Sequence, residues 1–265
     1  DWRWCLWVNI PVVAVGFVAG ALLLRESRAE GDNRYDVWGT LTVVAGLGSL
    51  VYGFTLAENG WGRADTIGFI AAGVGFLVLF VWIESRVSQP LLPLRVVAHR
   101  VRGGAFLLQA VAGSVMIGAL LYLTFHLQIV LGFAPLLAGV ATLPLTVAIA
   151  AAAPVATRML PRFGPRPLMI AGPVVGAVGL ALLSRITPGG SYLVEVLPGL
   201  LVLGVGMGLL FVPLQNVALS GVGPHDAGAA SATANASMQI GGSVGLSIFT
   251  TVYATASGHA TGAAT

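Results

Sequence analysis

Eight apolar stretches, each about as long as a bilayer is thick, follow one another along the chain with short connections between them. They run from Cys5 to Leu24, Val37 to Ala57, Thr66 to Ile83, Ala105 to Leu127, Leu136 to Ala156, Leu168 to Ser184, Val196 to Leu219 and Ala229 to Tyr253. A helix needs about 20 mainly apolar residues to cross the hydrocarbon core. Continuous runs of this kind lack the in-out alternation of a barrel strand, and in lipid the backbone must satisfy its own hydrogen bonds, which leaves helices. The expected fold is therefore all-α and integral to the membrane, a bundle of about eight transmembrane helices. Composition agrees: of 265 residues 57% are hydrophobic and 9% charged, where a soluble domain carries about a quarter charged.

The thirteen basic residues are all arginines, and ten fall on alternate connections: Arg25/Arg28/Arg34, Arg86/Arg95/Arg100/Arg102 and Arg158/Arg162/Arg166. The other connections carry only Arg3, Arg63 and Arg185. Short arginine-rich loops resist translocation, so the clusters are expected in the cytoplasm and the N-terminus outside. Arginines divided among loops in this way do not make the single basic face that a nucleic-acid partner would need. The one cysteine, Cys5, permits no disulfide, and no metal or cofactor motif is present. The chain opens on Asp1 without a methionine or a basic leader, which points to a portion upstream.

The longest connection, Glu84 to Arg102, mixes Leu91, Leu92, Leu94, Val96 and Val97 with Arg95, His99, Arg100 and Arg102, and is expected to lie in the membrane interface. It divides a three-span front part, residues 1–102, from a five-span back part, residues 103–256, followed by a polar tail, 257–265. The last span is too polar and small-residued to face lipid, and is expected to be buried among other helices. Asn235, Gln239 and Ser243 are spaced by four and fall within about 80° of arc, one polar stripe that must point toward helices or a water-filled cavity. With Gln109 and Asn216 they are the candidate substrate contacts; Gln128 and Gln215 are further interior amides. An apolar cavity with a few orienting polar groups suits amphipathic small molecules, and the same amides can equally serve as interhelical hydrogen bonds.

The carboxylates all fall in loops or at span ends. His126, about one turn from the outer end of its span, is the ionisable side chain well inside a run. It fits either proton exchange or a neutral, hydrogen-bonded interior role. The glycine pairs Gly16/Gly20, Gly172/Gly176, Gly204/Gly208 and Gly241/Gly245 read as helix packing. Gly241-Gly242-Ser243-Val244-Gly245 matches a nucleophile elbow, which needs a strand before it and a helix after it. Inside an apolar span it has neither, and without lysine there is no phosphate-binding loop. The chain is not expected to be an enzyme.

Several stretches resemble the major facilitator superfamily, and within it the fourteen-span drug:proton antiporters of bacteria. Trp2-Arg3-Trp4 with Val8-Asn9-Ile10-Pro11 resembles the start of that family's sixth span, and Pro90-Leu91-Leu92-Pro93-Leu94 its cytoplasmic elbow before the ninth. Gln128, Gly132, Pro135, Ala138, Gly139, Leu143 and Pro144 are similar to its turn between the ninth and tenth. Gly228-Ala229-Ala230-Ser231 with Asn235, Gln239, Gly241, Gly242 and Gly245 resembles its thirteenth. The loop holding Arg162, Gly164 and Arg166 is similar to the superfamily's cytoplasmic gating signature, with Pro161 at its aspartate position and Thr157 at its leading glycine.

The resemblance implies a partial major facilitator fold. Residues 1–102 would be the sixth span, two linker spans and the elbow, and 103–256 five spans of the C-terminal bundle. Its partners would be the lipid bilayer, a small-molecule substrate, protons and the missing N-terminal bundle of the same protein. The implied function is proton-coupled efflux of small amphipathic drugs or metabolites by alternating access, in a bacterial plasma membrane. The rival is a truncated, non-transporting remnant lacking the first bundle.

Overall fold

Helices form where the apolar runs predict them. The computed structural model describes residues 7, 9–23, 36–57, 60–87, 98–187, 189–223 and 226–262, the side chains of 254–262 excepted. In chain order the helices are α1 (Asn9–Leu23), α2 (Val37–Leu56), α3 (Ala64–Glu84), α4 (Arg100–Phe125), α5 (Pro135–Phe163), α6 (Pro165–Leu183), α7 (Leu197–Leu219) and α8 (Ala227–Gly262). Six of them, α2 to α7, are long and apolar enough to cross a membrane. Residues 1–34 and 35–265 are two separate units. The first contains α1, an apolar helix with no buried residue; the second contains the other seven.

Helix ends differ from expectation where polar residues continue a helix beyond the hydrocarbon. The connection holding Arg158, Arg162 and Arg166 is mostly helical: α5 runs on to Phe163 and α6 begins at Pro165. Between them stands Gly164 with φ 76°, a left-handed conformation that glycine adopts without a Cβ clash, and Pro165 follows at the first position of α6. The polar tail is helical as far as Gly262. The apolar period also misses two wide π-turns, His126–Val130 continuing α4 and Tyr192–Val196 opening α7. The interfacial segment, the Arg25 to Arg34 loop and the Trp2-Arg3-Trp4 opening lie largely outside the described residues.

In the second unit α4, α5, α6 and α8 pack against α7. More than half of its membrane window is buried, against a third or less in the other spans. α5 and α6 both pack along α7, α8 packs along α4, and α2 pairs with α3. Small residues set these contacts. Gly204 and Gly208 of α7 meet Ala148 and Ala152 of α5. Gly172, Gly176 and Gly179 of α6 meet Leu203, Gly206 and Leu210 of α7, and Gly46, Gly53 and Gly73 close the α2–α3 pair. Lipid tails supply no hydrophobic drive between helices, so close backbone approach and dispersion must hold them.

Cross-helix hydrogen bonds join ends that the arginine distribution assigns to one side. Outside, Trp61 Nε1 donates to Thr251 Oγ1 at 2.9 Å and the Tyr192 hydroxyl to the Ala141 carbonyl at 2.7 Å. Inside, Arg102 reaches the Ser220 and Gly221 carbonyls. Topology read from charge and contacts read from packing therefore agree.

Candidate functional site

α8 is polar on two faces, and they have different fates. One face carries Ala230, Ala234, Gly241, Gly242 and Gly245, all buried, and Ser247 is buried on another side. Its glycines lie on Ala110, Ile117 and Ser114 of α4, and the Ser114 hydroxyl donates to the Gly241 carbonyl. Ser247 donates to the Phe54 carbonyl of α2 at 2.7 Å. Several hydroxyls turn back on their own helix: Thr233 to Ala229, Thr250 to Leu246 and Thr251 to Ser247. Such back-bonding lets a sequence rich in Ser and Thr remain helical in an apolar medium.

The other face carries Gly228, Ala232, Asn235 and Gln239, all exposed. Spacings of four, three and four put them on one line of the helix. The expected polar stripe is thus divided. Asn235 and Gln239 are exposed and Ser243 is half-buried, because the 40° drift of each four-residue step carries the stripe toward Ser247, the side of α8 that packs on α2. The small residues of α8 are buried among other helices, whereas its longest polar side chains are exposed. Asn235 Nδ2 donates to the Ser231 carbonyl at 2.9 Å, which orients the amide along the helix.

The remaining amides do not join this row. Gln109 is 2% exposed, wedged between α4 and α8, where its Nε2 lies 3.7 Å from Met238 Sδ and its Oε1 has no partner among the described residues. The structure makes it an interhelical residue. Asn216 of α7 is exposed and donates to the Val212 carbonyl at 3.1 Å. With Gln215, Leu219 and Ser220 it bounds a shallow cavity of about 380 Å³. Arg162 and Arg166 are exposed on either side of the Gly164 turn.

A second location surrounds His126. A cavity of about 920 Å³ lies between α4, α6 and α8, walled by Tyr122, His126, Leu180, Leu183, Phe249 and Tyr253. A smaller one of about 540 Å³ shares Tyr122, His126 and Tyr253. The rings of Tyr122 and Tyr253 stand 5.7 Å apart. His126 begins the π-turn, a wide turn often found at functional positions. Its Nε2 is buried and has no hydrogen-bond partner among the described residues. Tyr122 precedes His126 by four residues, a spacing that could have flagged it; Tyr253, more than a hundred residues away, carries no such signal. The Gly241 to Gly245 motif lies wholly within α8 and is consumed in packing on α4.

A multi-pass helical bundle with a polar row on one inner helix, glycine-set packing and cytoplasmic arginine turns has the build of a membrane transport protein. The chain belongs to the major facilitator superfamily: the family's profile, Major Facilitator Superfamily, matches residues 1–246. It is therefore a multi-pass protein of the bacterial plasma membrane, with a partial fold of that superfamily. It is 43% identical to the puromycin resistance protein pur8 of Streptomyces alboniger over 249 residues, 93% of this chain and 50% of that protein. To the cephamycin export protein CmcT of Amycolatopsis lactamdurans it is 35% identical over 251 residues, 93% of this chain and 52% of the relative. The tetracenomycin C resistance and export protein of Streptomyces glaucescens is 32% identical over 246 residues, 92% of this chain and 46% of the relative. The chain spans about half the length of the curated relatives it matches.

Proposed function

We propose that this chain is part of an exporter that moves small amphipathic compounds out of the cell by alternating access, without covalent chemistry. The carrying observation is the exposed row Asn235 and Gln239 on a helix whose opposite face is packed. Amides are costly against lipid, so such a row faces a second bundle or a water-filled path. Transporters of this build bind substrate near the midplane, between two bundles that rock about it. The second bundle is the partner we assign to this row, in keeping with relatives of twice the length that are named for resistance and export. Asn235 and Gln239 orient the substrate, and apolar contact supplies its affinity. Everted vesicles from cells expressing the full-length gene product should accumulate ethidium or puromycin when respiration is started with NADH. Vesicles that accumulate neither probe above a vector control would overturn the transport reading.

The driving exchange in this reading is of protons, through His126. Its Nε2, buried and without a hydrogen-bond partner among the described residues, belongs to a side chain lining the outer cavity, and an imidazole is the side chain suited to proton exchange near neutral pH. Tyr122 and Tyr253 are the other titratable groups lining that cavity, and α6 with the turn that follows it lends Leu180, Leu183, Ser184 and Ile186. For His126→Gln, respiration-driven uptake should fall to near background while substrate counterflow, which needs no proton, continues. Uptake that keeps its wild-type dependence on the pH gradient would remove His126 from coupling.

A further inference from the structure

Arg102 stands apart from the other described arginines: it is 9% exposed, whereas Arg63, Arg86, Arg100, Arg158, Arg162, Arg166 and Arg185 are all exposed. A topology signal requires charge in a loop, not a guanidinium packed inside the protein. Its Nη1 lies 3.3 Å from the Ser220 carbonyl and 3.4 Å from the Gly221 carbonyl, just past the last turn of α7. Helix C-termini leave carbonyls without intrahelical partners and carry partial negative charge, which a cation there satisfies.

The turn that Arg102 covers joins α7 to α8. Gly221 with φ 66° reverses the chain, Asp226 N donates to the Gly223 carbonyl at 3.0 Å, and Ala230 N to the Asp226 carbonyl at 3.0 Å as α8 starts. One turn along α4 from Arg102, Ala105 and Phe106 enter a core made with Leu214, Val217 and Ala218 of α7 and Ala230 and Ala234 of α8. Arg102 thus caps, at the cytoplasmic end, a cluster in which α4, α7 and α8 meet. Asn235 follows Ala234 directly and lies on the adjoining face.

We propose that Arg102 is a positioning residue that ties the α7–α8 turn to the start of α4, so that the three helices move as one body and α8 presents Asn235 and Gln239 at a constant angle. The proposal rests on the transport reading above. A planar guanidinium can serve two carbonyls at once, and lysine, a point charge, reproduces this in part.

The test uses the full-length gene product, with wild type, Arg102→Ala, Arg102→Gln and Arg102→Lys compared by amide hydrogen exchange and by ethidium uptake. In Arg102→Ala and Arg102→Gln, exchange across residues 220–227 should rise about tenfold, as expected for loss of a charge-assisted hydrogen bond. Maximal uptake should fall with KM little changed, and Arg102→Lys should lie between. Unchanged exchange in these variants would overturn the tether. A raised KM at full maximal rate would make Arg102 a substrate contact instead, and raised exchange with normal uptake would deny it a part in transport. If wild type moves no probe, the transport reading fails by itself while the exchange comparison still decides the tether. If the alanine variant is absent from the membrane, the glutamine and lysine variants carry the comparison.

Discussion

Gly241→Ala should force α8 off α4 and leave little folded protein in the membrane. A Cβ on Gly241 would fall onto the carbonyl and Cα of Ala110, which are main-chain atoms that no rotamer change can clear. The neighbouring contacts are equally close, with Gly113 against the Met238 carbonyl and Gly245 against Ser114, so the helices cannot slide to make room locally. Overpacking in a tight core typically costs about 1–3 kcal/mol, and here the added methyl meets backbone, so the upper end applies. The α4–α8 seam also holds the Ser114 to Gly241 hydrogen bond, which separation would break. Fluorescence-detected size exclusion and thermal melting of the solubilised full-length product should show loss of the monodisperse peak or a large fall in Tm. Gly139→Ala is the control, because nothing lies near its added Cβ. A Gly241→Ala protein that melts with wild type would mean that the seam is not packed as described.

Gln239→Leu should do the reverse, sparing the fold and changing the work. Gln239 is exposed on the face of α8 turned away from α4, so leucine there removes no packing contact. If the amide orients substrate, its loss should cost about 1 kcal/mol per hydrogen bond, several-fold in apparent affinity, and unequally among compounds that use it differently. Resistance to chemically distinct drugs in cells carrying the full-length product should therefore shift in pattern at unchanged membrane level. Gln109→Leu makes the comparison: that amide is buried against Met238, so its change should register in stability and not in the drug profile. A resistance pattern unaltered by Gln239→Leu would take the residue out of the binding face.

Helix number, helical class and family were legible in the sequence because each rests on a one-dimensional quantity. Apolar length decides what crosses a bilayer, arginine density decides which loops stay inside, and residue order carries a family likeness. Helix ends were less legible: α5 extends past Arg158 because a helix need not stop where the hydrocarbon does, and no apolar count detects that. The sides of α8 were half legible. A period of four gathers Asn235, Gln239 and Ser243, but only the position of α4 decides that the glycine face is buried and the amides are not. Gln109 and Arg102 show the limit most plainly. In sequence they are one interior amide among several and one arginine in a topology cluster. Their contacts lie more than a hundred residues away, on Met238 and on the Ser220–Gly221 turn, and only the tertiary structure brings those partners within reach.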